Sequence, residues 1–118
     1  MNGFVKQEVF NKVYAALKAQ DFNRSMGGSK TFKTCRYRGE NGLKCAVGHL
    51  IPDDKYNNKF EGSTVIDADI AAAAGAKEDG DVYFLRNLQL AHDGSVSPSY
   101  MKTKLHNLAE NYGLVVPE

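Results

Sequence analysis

Apolar side chains recur every four residues at the start of the chain. Val5, Val9, Val13 and Leu17 set that spacing, Phe10 and Tyr14 widen the stripe, and Lys6, Glu8, Lys12 and Lys18 fall mostly opposite. The pattern predicts an amphipathic helix over 5–19. Residues 24–29, rich in Gly and Ser, read as a loop. Residues 33–38 are short and β-leaning, and Gly39-Glu40-Asn41-Gly42 is a turn whose Asn-Gly pair suits positive φ. The return arm, 43–51, has two readings: it pairs back as a strand, or turns helical from about Cys45, since Ala46, Val47, Leu50 and Ile51 also share a helical face. Pro52-Asp53-Asp54 ends it.

Three further helical patterns follow. Ser63 or Thr64 caps a run through Ile66, Ile70, Ala73 and Ala74 that Gly75 closes. Asp81 caps a second run, with Val82, Leu85, Leu88 and Ala91 as its apolar stripe and Phe84 beside them. The last has Ser97 as N-cap, Pro98 at the first helical position, Met101, Leu105, Leu108 and Tyr112 on one face, and Gly113 at the C-cap. Val115, Val116 and Pro117 form a tail that packs back. The expected fold is α+β: four or five helices packed around one short β-hairpin, in a single domain over 1–118.

Charge changes this picture more than composition does. With 118 residues, 42% apolar and 25% charged, the chain has a globular mixture and needs no metal or disulfide to hold a core. Net charge is +1, but residues 1–50 carry nine Lys/Arg against three acids (+6), and residues 51–95 carry nine acids against four Lys/Arg (−5). Such asymmetry marks either a nucleic-acid or partner face, or two halves that attract within one fold. No apolar run approaches the ~20 residues that span a bilayer, and the N-terminus lacks a signal-peptide core. The expectation is a cytoplasmic protein with no membrane association and two reduced cysteines.

Several residue sets invite chemical readings. Cys35 and Cys45 face each other across the expected hairpin, and with His49 and His92 would complete a tetrahedral zinc set. The close Cys-x₂-Cys or His-x₃-His pairs of zinc modules are absent, so no metal and no cofactor is assigned. Cys45 at a helix start, with His92 and Asp93 nearby, would suit a thiol nucleophile, though no oxyanion-hole motif accompanies it. Asp67 and Asp69, two residues apart, point to different sides of a helix, while Asp53/Asp54 and the Glu78/Asp79/Asp81 group sit at helix starts or in a loop, and all read as solvated. Gly28-Ser29-Lys30-Thr31 lacks the Gly-Lys order of a phosphate loop. Lys30, Phe32, Lys33, Arg36, Tyr37, Arg38 and Lys44 interleave cations with rings, as nucleic-acid surfaces do. Alternation along a strand puts Arg36 and Arg38 on one face, and Cys35 and Tyr37 on the other, toward the core.

The segment Cys35-Arg36-Tyr37-Arg38-Gly39 through Lys44-Cys45-Ala46-Val47-Gly48-His49-Leu50-Ile51-Pro52-Asp53-Asp54 resembles a group of small phage, prophage and proteobacterial proteins. Leu88-Gln89-Leu90-Ala91-His92-Asp93 and the closing helix fit the same group. The resemblance implies no particular activity. It does imply that the His49 position varies, which argues against a ligand there, and it suggests a setting in which small proteins bind host factors.

The leading expectation is therefore a non-enzymatic protein-binding module, a phage-derived modulator or inhibitor of a host defence factor. Its contact faces would be the basic hairpin (Arg36, Arg38, Lys44) and an acidic surface (Asp53, Asp54, Asp79, Asp81). The alternatives are a small nucleic-acid-binding domain using the hairpin, and a thiol- or zinc-dependent enzyme centred on Cys45.

Overall fold

Helices carry most of the regular structure. The computed structural model describes residues 4–28, 33–95 and 97–117; Lys30 and Phe32 of the basic set, and Ser29, Lys30 and Thr31 of the discarded phosphate loop, lie outside them. Helix α1 spans Lys6–Ala19, α2 Ala68–Ala73, α3 Asp79–Asp93 and α4 Pro98–Tyr112. Two three-residue strands, β1 (Met26–Gly28) and β2 (Lys33–Cys35), pair antiparallel with Met26 opposite Cys35. Short 3-10 turns at Glu40–Gly42, Val47–Leu50 and Asn58–Phe60 fill the middle of the chain. α3 packs on α4, and α1 packs on the Val47–Leu50 turn.

The helices form where local chemistry favours them. In α1 the buried set is Phe10, Val13, Tyr14 and Leu17, while Val5 is exposed. The stripe is thus rotated from the four-residue row toward the aromatic side, because two rings bury more apolar area than valines do. In α4, Ser97 accepts from the Tyr100 N–H, Pro98 opens the helix, and Gly113 ends it at φ 68°. In α3 the Asp81 carboxylate accepts from the Lys77 and Glu78 N–H groups (2.8 and 3.2 Å), so this acid is a buried part of the helix cap. α2 is shorter than its periodicity predicts. Asp67, not Ser63 or Thr64, is the N-cap and accepts from Asp69 N–H at 2.9 Å, while Thr64 and Ile66 belong to the turns before it.

The expected α+β fold, helices around a central hairpin, does not form. Between 33–38 and 43–51, pairing shrinks to one isolated bridge, Arg38 with Lys44. The reason lies in where the backbone donors go. Cys35 pairs upstream with Met26. The Tyr37 and Arg38 N–H groups donate to the Glu61 carboxylate at 2.9 and 3.1 Å. The Val47 N–H donates to Gln89 Oε1 of α3 at 3.1 Å, and the chain turns 3-10 there, which decides the return arm. Side chains distant in sequence capture the groups a strand ladder would need. The protein is mainly helical, and among the described residues its β-structure is the short 26–28/33–35 pairing and the isolated bridge.

Glycine lets this irregular segment close. A Cβ on Gly48 would collide with the Tyr37 carbonyl oxygen, and one on Gly39 would meet Ser25 Oγ and the Met26 backbone. Tyr37 is buried, with its hydroxyl donating to Ser63 O at 2.6 Å. Cys45 is fully buried, and its sulfur accepts from the Gly48 N–H at 3.2 Å. The 35–48 motif is therefore a seam packed into the fold at Tyr37 and at 45–48, with its turn at 40–42 exposed.

Candidate functional site

Helix α3 lends one face to the core and one to solvent. Phe84, Leu85, Leu88 and Ala91 face inward. Tyr83, Arg86 and Leu90, spaced by three and four residues, lie on the outside, with Tyr83 59% and Leu90 52% exposed. Ile66, 56% exposed, stands with Val82 and Tyr83 around a smaller hollow beside α2.

Next to this stripe lies a cleft of about 420 Å³. Its walls are residues 35–37, residues 62–65, and Arg86, Gln89, Leu90 and Asp93 of α3. The chain has four arginines, and two are engaged within the fold. Arg24 donates to the Asp93 carbonyl at 3.5 Å. Arg38 pairs with Asp53 at 2.6 Å, donates to Ile51 O at 3.0 Å and lies 4.5 Å over the Tyr56 ring. The other two, Arg36 and Arg86, both line the cleft, and neither guanidinium has a hydrogen-bond or ion-pair partner among the described residues. Arg36 lies against Gly27, where a Cβ would overlap its Cδ.

Under the cleft is a polar relay. His92, fully buried, donates from Nδ1 to Asp93 Oδ1 at 2.7 Å, and its Nε2 accepts from the Ser25 N–H at 2.9 Å. These partners fix the Nδ1–H tautomer. Gln89 donates to the same Asp93 oxygen at 2.7 Å while accepting from Val47, so the relay ties α3 both to the seam at Val47 and to Ser25 just before β1.

Cys35, His92 and Asp93 bring their potential ligand atoms within 4.8 Å of one another. The four-residue zinc set is not assembled: among the described residues, Cys45 and His49 are not part of this cluster. Nor do the three suit a metal. With Nε2 facing an N–H donor, His92 would have to give up its only proton to ligate through Nδ1. The same contact removes the base a thiol nucleophile requires, since Nε2 points at Ser25 and not at sulfur. Burial and the Asp93 carboxylate push the Cys35 thiol up to about 11, and its S–H has Met26 Sδ at 3.5 Å and the Asp93 carbonyl at 3.9 Å as acceptors. Burial pushes the Cys45 thiol higher still. Both cysteines are held as thiols, the unreactive form.

The residues expected on two contact faces are dispersed. Arg38 and Asp53 engage each other. Lys44 is half-buried, with its backbone bonded to the Gln20 side chain in both directions. Asp81 belongs to the α3 cap, and Asp54 and Asp79 are exposed. The Arg36 guanidinium, without a partner among the described residues, stays on the cleft, where Arg86 joins it from 50 residues along the chain. Sequence reasoning missed Arg86, Tyr83 and Leu90, although their spacing opposite Leu85 and Leu88 was a visible signal.

No family model, curated protein or solved structure matches this chain. Among the described residues, no helix is long and apolar enough to cross a membrane.

Proposed function

We propose that this chain is a non-enzymatic protein-binding module whose contact face is the outer side of α3. One observation carries the reading: Tyr83 and Leu90, two turns apart on a regular helix, are each more than half exposed, with Arg86 between them. Tyrosine and arginine dominate the energetics of protein interfaces, and a rigid helix presents them at little entropic cost. The chemistry of the interior supports the same reading, because its thiols and its histidine are engaged as packing and hydrogen-bonding groups. The resemblance of the 35–54 motif to small phage and prophage proteins favours a host protein as the partner, with modulation or inhibition as the outcome.

The test is affinity capture from host lysate with the whole chain and with a Tyr83→Ala/Leu90→Ala double variant, after circular dichroism shows both to be folded. A protein held by the wild type and lost by the variant is the expected result. A partner captured equally by both overturns this face. Nucleic acid co-purifying in place of protein, and eluting steeply with salt, turns the assignment to a nucleic-acid-binding domain.

A further inference from the structure

We infer that the cleft beside α3 reads an acidic side chain on the partner's contact segment, gripping its carboxylate between Arg36 and Arg86. This rests on the binding face proposed above and names what that face selects. Two of the four arginines are engaged within the fold, and the two whose guanidinium groups have no partner among the described residues share one cleft. A guanidinium presents a planar fork of donors that matches a carboxylate, so two of them lining one cleft form a receptor for that group. Among the described residues Asp93 is the only acid on the cleft walls, and one of its oxygens already accepts from His92 and Gln89. The cleft thus keeps an excess of positive charge. Leu90 and Val65 give it an apolar side, which suits an acid followed by an aliphatic residue. A volume of about 420 Å³ admits one or two side chains of an extended segment and excludes a folded domain. Gly27 serves as a positioning residue, since its missing Cβ leaves the space that the Arg36 side chain occupies.

The experiment titrates the full-length protein with the capped peptide Gly-Glu-Leu-Glu-Glu-Leu-Gly and with its Gln counterpart, following the arginine Nε–Hε resonances by NMR. The acidic peptide is expected to shift Arg86 and Arg36, and the Gln peptide to bind at least tenfold more weakly. Arg36→Met and Arg86→Met are each expected to weaken acidic-peptide binding at least tenfold, while the Lys variants recover part of it. Gly27→Ala, which keeps both charges, is expected to weaken binding by displacing Arg36. Equal binding of the two peptides overturns the inference. So do arginine resonances that shift only with a single-stranded oligonucleotide, or peptide binding that survives both Met variants. Should lysate capture depend on Tyr83 and Leu90 but not on Arg36 or Arg86, the binding face stands and the acid-reading cleft falls.

Discussion

The seam at 35–48 and the helical pair α3/α4 are held by different means. In the pair, apolar stripes meet across regular helices, and each helix satisfies its own backbone apart from capped ends. In the seam, the backbone has little regular partner of its own, and its donors are taken by Glu61, Gln89 and the Cys45 sulfur. The comparison teaches that the seam is specified by close approach and by long-range side-chain acceptors, whereas the pair is specified by periodicity and caps. A substitution that is harmless in one region should then be costly in the other.

The sharpest contrast is between two glycines. Gly48→Ala drives a Cβ into the Tyr37 carbonyl, where both sides are backbone, and is expected to lower stability by about 3 kcal/mol in urea unfolding. Glu61→Ala is expected to cost about 2 kcal/mol, because the Tyr37 and Arg38 N–H groups and the Tyr56 hydroxyl lose their shared acceptor. Glu61→Gln should fall between that variant and wild type; a wild-type midpoint for Glu61→Ala would mean that the seam does not depend on this acceptor.

His49 makes stability depend on pH. Burial, with Lys44 close by, lowers His49 to about 4, and its Nε2 hydrogen-bonds to Gln20 Oε1 at 3.0 Å. The folded chain keeps the ring neutral, while the unfolded chain takes up a proton below pH ~6.5. Stability from this group is therefore complete above ~6.5 and declines as pH falls toward 4. Urea midpoints at pH 7 and pH 5 should differ more in wild type than in His49→Gln. The smallest effect has the opposite sign. Gly80, in the first turn of α3, has open space where a Cβ would go, so Gly80→Ala is expected to gain about 0.5 kcal/mol. A loss there would show that the helical pair also relies on close approach.

Legibility in the sequence follows the same division. α4 could be read from Ser97, Pro98 and Gly113 because those residues act within one turn of where they stand. α1 was readable, although burial of Phe10 and Tyr14 turned its core face away from Val5. The hairpin was not readable: Asn41 and Gly42 do adopt positive φ, 61° and 74°, yet the strands fail because Glu61 and Gln89 reach in from elsewhere. No periodicity encodes those contacts. The candidate site was half visible for the same reason. Arg36 stood out on the motif, but its pairing with Arg86 exists only once α3 is laid beside residues 35–37.

The bond from Ser25 to His92 joins positions 67 residues apart, and it bears on the order of assembly. α3 and α4 are joined by a short connection and can dock early, whereas Ser25, and the seam through its Val47–Gln89 bond across 42 residues, must wait for large loops to close. The seam then works as the last clasp to fasten and the first to loosen. Native-state amide exchange is expected to show the Ser25, Tyr37 and Val47 amides exchanging through partial openings smaller than those that release the middle of α3. Because Arg36 stands on the clasp and Arg86 on α3, the two halves of the cleft would come together only when that fastening is made.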